Sequence, residues 1–200
     1  MMSSERAEYG DPGTRRGILE AAWELIEEGS SSVKVAEVAN RAGVSRQAVY
    51  LHFGDRAGLL VALVHYMDQD LGLDQAAVEI MDQPTGEGAL AMMVMALSVF
   101  APKIDTVARI LDSAQYEDDE VAAAWRDRMA GRQTLCRSIV QRIFDEGRLD
   151  DGWSVDSASE LAYVLTMPGP WRELTQNLGW TPEQYAQNLT TALRRSLLRN

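Results

Sequence analysis

Apolar residues recur at helical spacing along most of this 200-residue chain. Ile18, Ala21, Ala22, Leu25 and Ile26 form the first stripe. The segment Asp11–Thr14, with Pro12 suited to an opening turn, starts that helix, and Gly29 ends it. Residues 1–10, polar and acidic, predict a disordered arm. Val35, Val38, Ala39 and Ala42 share one side of a second, short helix. Gly43 follows where a chain leaving a helix needs positive φ. Val44 plugs the angle, Ser45 is an N-cap, and Val49 and Phe53 turn inward one helical turn apart. Asp55 caps a longer helix carrying Leu59, Leu60, Leu63, Val64 and Met67, which Gly72 bends or ends.

Beyond a loop at Asp82–Gly88, the segment Ala89–Phe100 is apolar nearly all round, the pattern of a helix buried on every side. Pro102 opens a short helix through Leu111. A long helix from Val121 to Phe144 has Trp125, Met129, Leu135, Ile139, Val140 and Ile143 on its apolar side, and Gly147 closes it. Ser154 opens another, with Val155, Ala158, Leu161, Ala162 and Leu165 in its stripe. Pro168-Gly169-Pro170 breaks it, a short helix resumes at Trp171, and Gly179 ends that one. Thr181–Gln184 is a capping box for the last helix, whose stripe is Tyr185, Leu189, Leu193 and Leu197. Strand-like alternation and internal repeats are absent, so the chain is predicted to be all-α, with about nine helices.

The stretch from Val33 to Leu60 leaves Arg46, Gln47, Tyr50 and His52 facing outward. Arg can fork onto a guanine edge and Gln onto an adenine edge, each worth roughly 1–3 kcal/mol of base discrimination. Tyr50 and His52 follow along the helix, where a phenol or imidazole meets a phosphate or a thymine methyl. Arg56 opens the next helix, at an end that favours anions. By spacing alone, a small packing unit with a solvated polar face accounts for this pattern equally well.

The conjunction Ala39-Asn40-Arg41-Ala42-Gly43-Val44-Ser45, then Tyr50-Leu51-His52-Phe53, then Arg56 is more specific. It resembles the DNA-binding domain of the tetracycline-repressor (TetR) family, closely over residues 14–64 and loosely, as an all-helical likeness, over the rest. The resemblance implies a helix-turn-helix domain at residues 11–58 and a ligand-binding and dimerisation domain at 59–200. It implies base-side positions at Arg46, Gln47, Ala48 and Tyr50, with Ser45 at the head of the same helix, and backbone contacts from His52 and Arg56. The family has Thr where this chain has Lys34, which can reach a phosphate but cannot cap; Ser32 is then the candidate cap.

The formal charge of −11 is unusual for a nucleic-acid binder. Residues 1–58 carry seven basic and nine acidic residues, so the excess acid lies further on. Within Lys34–Arg56 four basic residues face two acidic ones, which keeps the local field positive and non-specific affinity modest. Arg15 and Arg16, unfavourably placed in a first helical turn, suggest either an anionic neighbour or simple solvation. One cysteine, Cys136, fits a reducing compartment and a buried apolar filler. The N-terminus has no signal-peptide run, and Ala89–Ala101 is too short to span a bilayer, so a soluble, cytoplasmic protein is expected. Two histidines, thirteen residues apart at His52 and His65, one cysteine and no glycine-rich phosphate loop argue against an enzyme. The acids Glu117–Glu120 are explained by a helix start, and neither metal nor cofactor is expected.

The second part is rich in thioethers and aromatics. Met67, Met92, Met93, Met95, Met129 and Met167 join Phe100, Tyr116, Trp125, Tyr163 and Trp171 in a predicted interior whose walls can adapt to a small apolar ligand. An ordinary core with Met as filler is the plainer alternative. Gln115, Tyr116 and Tyr163 are the candidate polar contacts. The stripes of the last two long helices suggest a homodimer built as a four-helix bundle, or else they cover their own subunit. Together these expectations describe a ligand-responsive homodimeric repressor on a pseudo-palindromic operator. An effector-independent regulator or a helical protein-interaction module is the alternative.

Overall fold

The N-terminal helix α1 (Pro12–Glu27) starts where Asp11 accepts from the amides of Gly13 and Thr14 at 3.2 and 3.1 Å. Those amides, with the Thr14 hydroxyl, hold the Asp11 carboxyl below its ordinary range. A computed structural model describes residues 11–30 and 32–199; the expected arm at 1–10 lies outside them. The further helices are α2 (Val35–Arg41), α3 (Arg46–Phe53), α4 (Arg56–Asp70), α5 (Leu73–Met81), α6 (Gly86–Ala114), α7 (Asp119–Asp145), α8 (Val155–Leu165), α9 (Pro168–Arg172) and α10 (Pro182–Leu197). A π-helical segment, Glu173–Asn177, follows α9 directly. Among the described residues the one β-bridge pairs Leu149 with Leu198.

Packing groups the chain into two compact units that a single cut does not separate. One runs to Asp70 and takes in Thr106–Trp125; the other holds Leu71–Asp105 and Arg126 onward. The first unit contains α1–α4, with Ile18, Ala22, Val38, Val49, Leu59, Leu60 and Leu63 withdrawn from solvent. The second is centred on Leu90, Val94, Ile139, Ile143, Ala158, Ala162, Tyr185, Leu193 and Leu197. Burying each large apolar side chain stabilises by about 1.5–3 kcal/mol, so these stripes are the main organising force.

Several predicted boundaries are corrected. Pro102 starts no helix; it lies inside α6, a single helix of 29 residues. Its ring removes one backbone bond, but buried apolar residues on both sides, Leu97 and Ala101 before it and Val107 and Leu111 after, keep the helix continuous. α6 is not buried on every side either, because Met95 and Val99, one turn apart, are about half exposed. As one helix it is long and apolar enough to cross a membrane, unlike the run ending at Pro102, yet its Ala89, Leu90, Met93, Val94 and Leu97 are spent in the second unit's core. The helix after the Pro168–Pro170 break resumes at Pro168, not Trp171, since a proline fits a first turn where no amide bond is needed. Ser32 does not cap α2: the capping position is Lys34, which makes no side-chain cap. The expected caps Ser154 and Thr181 both form, each as a capping box.

The stripe of α10 faces its own subunit. Tyr185, Leu189, Leu193 and Leu197 are all buried, so this stripe is not the surface for a partner. Beyond α10, the Asp150 amide donates to the Leu197 carbonyl and the Arg199 amide to the Arg148 carbonyl, pinning the C-terminus to the link between α7 and α8.

Candidate nucleic-acid interface and ligand-binding region

The turn between α2 and α3 is closed by the backbone. Gly43 sits at φ +68°, and its amide donates to the Asn40 carbonyl at 3.2 Å. The Val44 amide reaches back to the Ala39 carbonyl at 2.9 Å. This paired reversal needs a left-handed residue, which glycine supplies without strain. Ser45 then caps α3 by accepting from the Ala48 amide at 3.1 Å. Val49 and Phe53 face inward. Ser45, Arg46, Gln47 and Tyr50 are exposed, and Ala48 and His52 are part-exposed. The residues expected at the base side and the helix head therefore lie together on the open side of one short helix.

Two arginines hold α3 and its surroundings in place, and periodicity did not reveal either role. Arg15 Nη1 donates to the His52 carbonyl at 3.0 Å, and its guanidinium lies 4.4 Å from the centre of the Phe53 ring. A cation at the carboxyl end of a helix is favoured by the helix dipole, and the ring face adds attraction. The awkward first-turn position of Arg15 on α1 thus has an answer within the protein. Arg16, beside it, pairs with Glu20 at 3.4 Å. Arg56 Nε donates to the Val33 carbonyl at 2.9 Å, tying the start of α4 to the segment before α2. Arg41 pairs with Glu24 and Glu28 across to α1, which holds the Glu28 carboxyl below its usual range. Gly58 allows α4 to approach α3 closely: a Cβ there would lie 2.0 Å from the Phe53 carbonyl oxygen. Lys34 is exposed and paired with Glu37 at 2.9 Å, in easy exchange with any stronger anion.

The residues expected around a ligand divide between the units. Met67, Gln115, Tyr116 and Trp125 belong to the first; Met92, Met95, Phe100, Met129, Tyr163, Met167 and Trp171 belong to the second. Two of them are not interior. Tyr116 is 84% exposed and Met95 54% exposed, because each lies on the outer side of its helix or turn. Gln115 donates to Asp112 beside it. Met67, Met129, Trp125 and Trp171 are buried. A cavity of about 280 Å³ in the first unit is lined by Ser32, Arg56, Thr106, Arg109, Ile110, Ser113, Ala114 and Glu117, so apart from Arg56 it uses none of the expected residues.

The second unit holds a polar cluster that apolar periodicity passes over. Arg132 on α7 donates through Nη2 to the Thr166 carbonyl at the end of α8. Its charge is felt by Cys136, Tyr163 and Tyr185. Burial draws the Arg132 guanidinium down and pushes the Tyr185 phenol up to about 12. It also pushes the Cys136 thiol up, and Cys136 Sγ lies 3.8 Å from Met93 Sδ. The unit's buried carboxylate, Asp105, is 4% exposed and already held by Arg172 at 2.7 Å and by Gln176 at 3.2 Å.

Comparison with known proteins places a family match over the helix-turn-helix segment. Residues 18–63 match the family described as bacterial regulatory proteins, tetR family. The HTH-type transcriptional regulator YdeS of Bacillus subtilis, itself uncharacterized, is 25% identical over 167 residues, covering 81% of this chain and 80% of that one. Among solved structures, one from Saccharomonospora viridis in complex with choline superposes with a TM-score of 0.79 at 16% identity, over 95% of this chain and 100% of that one. The regulator FadR of Bacillus subtilis, in complex with stearoyl-CoA, gives 0.72 at 18% identity, over 89% and 96%. At these identities the two structures speak for the fold alone.

Proposed function

We infer that this chain, a transcriptional regulator of the TetR family, acts as a ligand-responsive repressor that binds a pseudo-palindromic operator as a homodimer. The observation that carries this reading is the open first turn of α3, where Arg46, Gln47 and Tyr50 face outward from a helix tied at both ends. Arg46 and Gln47 read base edges in the major groove, with Ala48 and Tyr50 beside them. Lys34, His52 and the free edge of Arg56 hold phosphates. One such helix spans few base pairs, so two copies related by two-fold symmetry double the contacts. They meet through the outward faces of α8 and α10, where Val164 is about half exposed, and not through the buried stripes.

A small ligand with an apolar body binds in the second unit and favours the arrangement that releases DNA. A thousandfold preference for that arrangement amounts to about 4 kcal/mol of coupling. Helices α6 and α7 each carry residues of both units, so a rearrangement in one is passed along continuous backbone to the other. Structures of this fold hold choline in one case and stearoyl-CoA in another. Ligand class is therefore not inherited with the fold and must be read from local side chains.

Selection of bound sequences from random duplex DNA tests the reading. The selected site should be a pseudo-palindrome. Arg46→Ala should weaken binding to it about tenfold or more, from a loss of roughly 1–3 kcal/mol, while binding to random duplex changes little. Equal loss on both would sink base readout by Arg46. Lys34→Ala should weaken both alike and lower the salt slope by about one.

A further inference from the structure

Every buried side-chain polar atom that lacks a partner among the described residues of the second unit is a donor-bearing group. They are Arg132 Nε, Trp171 Nε1 and the Tyr185 hydroxyl. All three belong to the region around one core: Trp171 and Tyr185 are members of it, and Arg132 lies close enough to Tyr185 to act on its titration. A buried donor without an acceptor loses the full cost of desolvation, and a buried cation without a counter-charge loses more. Here the guanidinium has one backbone carbonyl, at Thr166, and no carboxylate among the described residues. The buried acid of the same unit, Asp105, is held by Arg172. Tyr185, with its phenol raised by burial, stays protonated at neutral pH and keeps a donor without a partner among the described residues.

We propose that Arg132, with Tyr185 and Trp171, is the anchor for the anionic head of the regulator's ligand, and that the ligand is an amphipathic monocarboxylate. One guanidinium neutralises one charge, and its unpaired Nε–H, beside the Nη2 that also serves the Thr166 carbonyl, suits a carboxylate oxygen. The thioethers of Met92 and Met93 and the ring of Tyr163, all packed with the same core, supply a wall that reshapes around an apolar tail. The proposal deepens the ligand-responsive reading, on which it rests, by naming the class of ligand. It excludes a cation at this anchor, since Arg132 would repel it.

The test uses the full chain and matched probes. Octanoate, dodecanoate and hexadecanoate, the alcohols of the same lengths, and the corresponding alkyltrimethylammonium ions are titrated by calorimetry and by thermal shift. At least one carboxylate should bind tenfold or more tightly than its alcohol and raise Tm in proportion to the logarithm of its concentration, while the ammonium ions do not bind. Arg132→Met preserves the volume and removes the charge. Its unliganded Tm should equal or exceed that of the parent, and the preference for carboxylate over alcohol should vanish. Tyr185→Phe, which keeps the ring, should lose part of the preference. Equal binding of acid and alcohol, or an Arg132→Met protein that still prefers the acid, would overturn the anchor and leave Arg132 as a cap on α8. If alcohols or ammonium ions bind and release DNA instead, the carboxylate class is wrong while the ligand-responsive reading stands. If no probe of any charge binds, the anchor is rejected. DNA binding by α3, measured separately, is untouched by any of these outcomes.

Discussion

In the unit that holds α1–α4, three long cations are tied to protein acceptors: Arg15 to the His52 carbonyl, Arg56 to the Val33 carbonyl, Arg41 to Glu24 and Glu28. Its buried side-chain polar atoms without a partner, among the described residues, come down to the Trp23 indole nitrogen. In the other unit Arg172 is tied in the same manner to Asp105, but Arg132, Tyr185 and Trp171 keep donors that nothing among the described residues meets. On the proposed function, the difference teaches how one chain would divide two tasks. A reader must present a fixed face, because ordering it at the moment of binding would subtract from affinity. A sensor gains from being incompletely satisfied, because a ligand that supplies the missing acceptors then stabilises one arrangement over another.

Substitutions that break this contrast should differ in size and in sign. Phe53→Ala removes a buried ring together with the surface on which Arg15 rests, and should cost about 3–5 kcal/mol in urea unfolding, with DNA binding lost. Gly58→Ala places a methyl group against the Phe53 carbonyl and should cost about 1–3 kcal/mol, mostly by prising α3 from α4. A protein as stable as the parent would mean that the close approach of the two helices is dispensable. Ser45→Ala removes one cap and should cost about 1 kcal/mol, seen as a lower Tm with weaker operator binding. The smallest change is expected in the sensor: Tyr185→Phe deletes an unpartnered hydroxyl and should shift unfolding by no more than about 1 kcal/mol, in the stabilising direction. A clear loss of stability there would show that the hydroxyl already has a partner and would erase the contrast between the units.

Much of the reader was legible in the sequence, because its signals are local. Gly43 and Ser45 act on amides one turn away, and the inward positions Val49 and Phe53 follow from the helical period. The stabilising roles of Arg15 and Arg56 were not legible, since their acceptors, His52 and Val33, lie 37 and 23 residues away. The continuity of α6 through Pro102 was missed for a related reason: a local helix breaker was overruled by buried residues on either side. Tyr116 and Met95 were placed inside by residue type, which does not report the side of a helix or turn that faces solvent.

The sequence alone determined that this chain is helical, that α3 opens with an outward-facing turn carrying Arg46 and Gln47, and where most helices begin, because capping and periodicity are matters of neighbouring residues. Only the tertiary structure decided that the α10 stripe is spent inside its own unit and that Arg132 is left without a counter-charge among the described residues. Both depend on which distant side chains are already paired. A carboxylate such as Asp105 looks equally available to Arg132 and Arg172 until the fold brings one of them to it.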